Sequence, residues 1–284
     1  MNESSNVEMS EYWNGSGGKR WLNFQERIDS SLISFGQKVM EAVAITDGER
    51  VLDIGCGCGD TSLEIALKVG SSGRVEGLDI SEVILQQARK RTASEERDNI
   101  NFECADAQTY RFESNVYDVA FSRFGVMFFD DPVVALGNIR QSLKLGGRIA
   151  FICWQPINEN QWVNLALDVA ANHIPLPLPS NPEDPGPFSF GDTNRVERIL
   201  AKAGFVNTRI KNFNTLFNVG ADIEEAVTFL TNIGPTCAAI EAAEAGDVAR
   251  QRIMDELRYL IASYKTEQGI ELGAAAWVVT ATNP

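Results

Sequence analysis

Histidine is nearly absent from this sequence: His173 stands alone among 284 residues. Cysteine is scarce as well, with five residues, Cys56, Cys58, Cys104, Cys153 and Cys237, of which only Cys56 and Cys58 lie close together. Zinc needs clustered Cys or His ligands, so no metal site is expected. An odd number of thiols, several in or beside apolar runs, fits a reduced cytoplasmic protein better than a disulfide framework. No apolar run approaches the roughly 18 residues that a membrane span needs. The opening Met1-Asn2-Glu3-Ser4-Ser5 also lacks the charged-then-apolar order of a secretory signal, so a soluble, cytoplasmic chain is expected. Basic residues are few, 25 Lys and Arg against 39 Asp and Glu, and the net charge of −14 is spread along the chain. Such a surface repels phosphate backbones, which argues against a nucleic-acid partner. The one basic cluster, Arg89, Lys90 and Arg91, ends a helix-like stretch where cations complement the helix dipole.

What is present is an ordinary globular composition, 44% hydrophobic and 23% charged, which predicts a folded enzyme or binding protein. Residues 1–20 are polar and carry Gly15, Gly17 and Gly18, which predicts a mobile segment. Leu22, Ile28, Leu32, Phe35, Val39 and Val43 then recur at helical spacing, predicting one or two helices over 21–44. From Arg50 the pattern changes to short apolar runs alternating with amphipathic stretches, as in a parallel sheet with crossover helices. The runs are Val51–Ile54, Arg74–Leu78, Ile100–Cys104, Val116–Ser122 and Gly147–Trp154, with a sixth strand at Asn207–Phe217 and a seventh at Ala274–Ala281. Helices are expected at Asp60–Val69, Ser81–Ser94, Val133–Ser142 and Thr193–Ala203.

The expected fold is α/β: a doubly wound, seven-stranded, mostly parallel sheet with its last strand antiparallel and with helical cap insertions. Residues 45–218 and 269–284 form the core, residues 1–44 an N-terminal helical segment. One insertion, 155–192, holds a short helix at Gln161–Asn172 and then six of the ten prolines, Pro175 to Pro187, where neither helix nor central strand can form. The other, 219–268, looks helical and offers a surface for pairing with a second copy of the chain.

The strongest motif runs Val51-Leu52-Asp53-Ile54-Gly55-Cys56-Gly57-Cys58-Gly59-Asp60-Thr61, an apolar strand passing through a glycine-rich turn into a helix. Glycines let a ligand approach the backbone, and the helix start presents unpaired N–H groups to a carboxylate or other polar partner. A dinucleotide fingerprint would place glycine at position 60, where Asp60 would repel a pyrophosphate; a nicotinamide-dependent oxidoreductase is therefore a weak rival. Asp79 closes the next apolar run, 24 residues after Gly55, where a strand-end carboxylate can accept from both ribose hydroxyls. Ser81 is the expected helix cap there, and Ile80 would lie against an adenine face. Cys104-Ala105-Asp106-Ala107 ends the third strand, with Asp106 placed for an exocyclic amine and the Ala107 N–H for a ring nitrogen.

As a set, "VLDIGCGCGD", "GLDIS", "ADAQ", "YDVAFSRFGVMFF" and "LKLGGRIAF" resemble the class I S-adenosylmethionine-dependent methyltransferase family, closest to its bacterial ubiquinone and menaquinone branch, over about residues 45–155. The resemblance implies S-adenosyl-L-methionine as cofactor. It implies that Asp53 orders the glycine loop, that Gly55, Cys56 and Gly57 border the methionine part, that Asp79 and Ile80 hold the ribose and adenine face, and that Asp106 and Ala107 hold the adenine. The segment Ser122-Arg123-Phe124 would line the floor between cofactor and acceptor. Tyr12, Trp13 and Trp21 read as a lid, with Trp21 against the cofactor. The implied activity is methyl transfer to oxygen, nitrogen or carbon of a small, apolar or aromatic acceptor, and the alternative is a non-catalytic module that binds the same cofactor. A sulfonium methyl needs no protein nucleophile, in keeping with a chain that offers no Ser-His-Asp triad. If a general base is used, Tyr12, Asp130 and His173 are the candidates.

Overall fold

The structure is a computed structural model that describes residues 6–95, 97–178 and 181–284; the opening pentapeptide and Pro179 of the proline-rich stretch lie outside the described residues. The chain begins with three helices, α1 (Val7–Asn14), α2 (Ser16–Asn23) and α3 (Gln25–Val43). Residues 6–20 thus depart from the mobile segment that their polarity predicts. The glycines taken as a sign of mobility serve close packing instead: a Cβ on Gly17 would run into the Tyr12 ring, and one on Gly18 into the Trp13 carbonyl. In α3, Ile28, Leu32, Phe35, Val39 and Val43 form the buried stripe that their spacing predicts.

The alternating region follows as β1 (Arg50–Ile54), α4 (Asp60–Val69), β2 (Arg74–Asp79), α5 (Glu82–Ser94), β3 (Ile100–Cys104), β4 (Tyr117–Arg123), α6 (Pro132–Ser142) and β5 (Leu143–Trp154). After it come α7 (Gln161–Ala171), α8 (Thr193–Lys202), β6 (Val206–Gly220), α9 (Ile223–Asn232), α10 (Pro235–Ala242), α11 (Asp247–Ile261), β7 (Lys265–Thr266) and β8 (Gly269–Thr282). The sheet order is β3-β2-β1-β4-β5-β8-β6, parallel from β3 to β5, with β8 antiparallel between β5 and β6. The seven expected strands are all present, and β7 adds a two-residue ribbon on β8. Central strands carry continuous apolar runs because helices cover both faces; Val51, Leu52, Val119, Ala120 and Phe121 are fully buried.

Helix starts follow local chemistry. Ser81 caps α5 by accepting the Ile84 N–H, and Asp131 caps α6 with Pro132 just behind it. The strand order turns back at β1 and β4, so their carboxyl ends open a crevice, the position at which doubly wound sheets bind ligands. α10 packs on α7 and α9, and α11 on α9 and α7, so the two insertions form one helical layer. Trp154 at the end of β5 meets Trp162 of α7 with ring centroids 5.4 Å apart, which brings that layer to the carboxyl ends of the strands. Among the described residues no helix is long and apolar enough to cross a membrane.

Candidate active site

The turn after β1 is held in a shape that suits only glycine. Gly55, Gly57 and Gly59 have φ of +64°, +55° and +79°, where a Cβ is strained, and a Cβ on Gly55 would come within 2.9 Å of the Gly125 Cα. Backbone bonds fix the turn to β2: the Gly55 and Cys56 N–H groups donate to the Leu78 carbonyl at 2.8 and 3.2 Å. The Gly57 N–H donates to Asp79 Oδ2 at 2.9 Å, and the Ser81 N–H to Asp79 Oδ1 at 2.9 Å. Burial pushes the Asp79 carboxyl up, and these backbone donors pull it back toward the ionised form.

Asp53 lies beneath the turn with no exposed surface. Its Oδ2 accepts from the Thr61 and Ser62 hydroxyls at 2.7 Å each, while its Oδ1 has no partner among the described residues. Burial raises its carboxyl to about 6 despite those two hydroxyls and nearby Arg123, and Asp79 adds to the rise. A buried acceptor left unpaired costs about 1–3 kcal/mol. Such an oxygen beside a turn stripped of side chains fits a ligand that brings its own donor, as the ammonium of S-adenosylmethionine does.

A charged network that sequence reasoning did not anticipate flanks the turn. Arg123, at the end of β4, reaches Asp60 at 2.8 Å and Asp29 of α3 at 3.4 Å. Arg91 of α5 reaches the same Asp29 at 2.8 Å, Asp60 at 3.3 Å and the Cys58 carbonyl at 3.1 Å. Arg91 therefore does more than complement a helix dipole: it ties α5 to the glycine turn and to α3. Burial, with Asp60 alongside, raises the Asp29 carboxyl against the pull of Arg123, Gln25 and Arg91. The clue lay in Asp29 and Asp60, acidic positions facing otherwise apolar elements, but the four members of the network come from four separate segments, α3, α4, α5 and β4.

The N-terminal helices lie over the tips of β2 and β3. A Cβ on Gly57 would stand 4.0 Å from Trp21 Nε1, so Trp21 borders the glycine turn. Trp13 meets Trp21 and Phe128 edge-on at 5.6 and 5.4 Å. Asn14 donates to the Ile80 carbonyl at 3.1 Å and accepts the Glu82 N–H, while Ser81 donates to the Trp13 carbonyl at 2.7 Å. Asn6 donates to Asp106 Oδ1 at 3.2 Å and accepts the Asp130 N–H at 3.1 Å. Ile80 and Asp106 are thus both touched by these helices, and Ala107 lies buried behind, its carbonyl held by Asn138 at 2.8 Å.

Two of the expected cofactor contacts are turned elsewhere. The Cys56 side chain packs with Leu85, Ala88 and Phe102, and burial drives its thiol well upward, so only its backbone borders the turn. The Ser122 hydroxyl is buried, donating to the Ile54 carbonyl at 2.8 Å and accepting the Gly125 N–H at 3.2 Å. Its work is to clamp the β4 loop to β1. Phe124 stands at the tip of β4 in the left-handed region, φ +61°, and stacks on Trp154 with centroids 4.1 Å apart. Phe35, Phe213, Phe217, Trp162 and Phe229 extend that stack into a continuous aromatic cluster.

None of the three general-base candidates belongs to that cluster. His173 is paired with Glu256 of α11 at 2.7 Å. Asp130 is exposed, and Tyr12 is 43% exposed beside Trp13.

Comparison with known proteins matches residues 45–204, more than half of the chain, to the model of a family described as "Methyltransferase domain". Demethylmenaquinone methyltransferase of Staphylococcus aureus is 29% identical over 209 residues, covering 67% of this chain and 85% of that protein. Among solved structures, phosphoethanolamine N-methyltransferase 2 of Haemonchus contortus, in complex with S-adenosyl-L-methionine, superposes with a TM-score of 0.55 at 18% identity. That match covers 88% of this chain and 52% of the other, so the chain spans about half of that protein's length. Geranyl diphosphate C-methyltransferase from Streptomyces coelicolor A3(2) gives a TM-score of 0.52 at 14% identity, covering 88% and 76%. At these identities the two structures testify to the fold.

Proposed function

Since the chain belongs to the class I S-adenosylmethionine-dependent methyltransferase family, we propose that it methylates an uncharged small molecule built on a planar, largely aromatic skeleton. When bound, S-adenosylmethionine supplies an electrophilic methyl group, which leaves the protein the task of aligning acceptor, methyl and sulfur. Alignment of this kind is worth about 7–11 kcal/mol of barrier. In this reading Asp79 takes the ribose hydroxyls, and the unpaired Asp53 Oδ1 takes a donor from the methionine end. Trp21 covers the glycine turn, and Asp106, Ile80 and Ala107 border the adenine. Helices α1 and α2 act as a lid over the bound cofactor, and the layer of α7 and α9–α11 as a cap over the acceptor.

The observation that carries the choice of acceptor is the ring cluster next to the glycine turn. Phe124 precedes Gly125, whose backbone touches Gly55, and the rings that continue from Phe124 are apolar and, apart from the partly buried Phe213, buried. A charged acceptor would lose its hydration there with no counter-ion among the cluster's side chains. The acceptor named for the Staphylococcus relative, a demethylmenaquinone, carries a planar, uncharged ring. A screen with S-adenosylmethionine and neutral phenols, hydroquinones and aromatic amines, beside their carboxylated or phosphorylated analogues, tests the proposal by release of S-adenosylhomocysteine. Turnover of the neutral compounds is expected; turnover of the charged analogues alone, or of none, contradicts it.

A further inference from the structure

Trp162 is 6% exposed, and its Nε1–H has no hydrogen-bond partner among the described residues. The contrast with Trp277 is informative, because that indole donates to the Gly191 carbonyl at 2.8 Å. Phenylalanine could fill much of the space at position 162 without burying an unpaired donor, a burial that costs free energy. A tryptophan retained at such a cost points to a partner that arrives from outside the chain.

The neighbours of the indole say what that partner is. Its ring lies against Phe217 at 4.9 Å and Trp154 at 5.4 Å. Its benzo edge faces the turn before α10, where a Cβ on Gly234 would stand 3.3 Å from Cζ3 and 3.5 Å from Cη2. The pyrrole N–H is therefore at the other end of the ring from that turn. Trp154 stacks on Phe124, and Gly125 beside it touches the glycine turn at Gly55. A short run of contacts thus leads from the cofactor turn to an indole N–H of the aromatic cluster that is fully buried and has no partner among the described residues.

We propose that Trp162 Nε1–H donates a hydrogen bond to an oxygen on the aromatic acceptor, and that it selects oxygen-bearing rings over their hydrocarbon counterparts. This rests on the reading of the acceptor as a neutral aromatic molecule. The donor fixes the ring by its oxygen while Trp154, Phe217 and their neighbours contact its faces.

The probes are 2-naphthol and naphthalene, titrated into enzyme saturated with S-adenosylhomocysteine so that no turnover occurs. Calorimetry gives the affinities, and protein with isotope-labelled tryptophan gives the indole N–H resonances. Wild type is expected to bind 2-naphthol about tenfold more tightly than naphthalene, the contribution of one hydrogen bond to a buried donor. The resonance lost in Trp162→Phe is expected to move downfield with 2-naphthol and not with naphthalene, and that variant to bind the two compounds equally. Trp162→Tyr provides a second variant, and unchanged S-adenosylhomocysteine affinity marks either one as folded. A preference that survives in the variants, a preference missing from wild type, or an identical response of the Trp162 resonance to both compounds overturns the role of Trp162 while the aromatic acceptor stands. Binding of neither compound by wild type overturns both.

Discussion

At the tips of β1 and β2 the segment from Asp53 to Asp79 presents glycine Cα atoms, backbone N–H groups and two carboxylates, with Trp21 of α2 alongside. At the tips of β4 and β5 stand the rings of Phe124 and Trp154, and ring packing continues from them through Phe35, Trp162, Phe213, Phe217 and Phe229, a span of most of the chain. The first region is made by local backbone geometry, with positive φ values and strand-end carboxylates. The second is made by tertiary packing of side chains from segments far apart in sequence. A cofactor common to many enzymes can be held by backbone, whereas an acceptor is distinguished by side chains that differ between them.

If the two regions are separable, a defect in one should leave the other largely intact. The largest effect is expected from Phe35→Ala. Phe35 has no exposed surface and touches Phe124, Trp154, Phe213 and Phe217, so truncation should cost about 3–5 kcal/mol in urea unfolding. Affinity of the folded variant for S-adenosylhomocysteine should change by less than about threefold; a drop comparable with the loss of acceptor turnover would break the separation.

Asp53→Asn should have an intermediate effect, visible in its pH dependence. The Asp53 carboxyl is raised from 3.8 to about 6. A raised carboxyl adds stability that is complete below the unfolded value and lost as pH rises through the folded one. Wild type should therefore gain stability relative to Asp53→Asn as pH falls from about 7 toward about 4. Over the same range protonation of Asp53 should weaken S-adenosylmethionine binding in wild type, and the asparagine variant should show a flat, weak profile. Parallel profiles for the two proteins would remove Asp53 from the cofactor site.

The smallest effect is expected where the N-terminal helices meet α10. Arg20 of α2 pairs with Glu241 of α10 on a partly exposed surface, so Arg20→Ala should cost less than about 1 kcal/mol of stability. Protease cleavage within residues 6–21 should nevertheless rise in the variant and fall again on addition of cofactor. Equal cleavage with and without cofactor, in wild type as in the variant, would show that these helices are no lid.

These contrasts follow the line between what the sequence reveals and what it conceals. The strands from β1 to β5, their helices, the Ser81 cap and the Asp53-to-Gly59 turn were legible because each rests on alternation, glycine or a capping residue within a few positions. Residues 6–20 were misread since Gly17 and Gly18 carry the same letters whether they loosen a chain or let a ring and a carbonyl pack against the backbone. The Asp29, Asp60, Arg91 and Arg123 network and the ring cluster were illegible for another reason: neither has a local period, and both exist only once α3, α5, β4 and the helical layer have been brought together. Cys56 and Ser122 sit in the right motifs, yet their side chains turn into packing, a direction that motif spacing does not encode.

The most direct test of this account is calorimetric titration of S-adenosylmethionine, S-adenosylhomocysteine and NADH into wild type and Asp79→Ala. The account predicts that both sulfur compounds bind wild type, that NADH does not, and that the variant loses about 100-fold in affinity, roughly 2.7 kcal/mol. Undiminished binding by Asp79→Ala, or binding of NADH to wild type, would contradict a cofactor site built on the glycine turn and the β2 carboxylate.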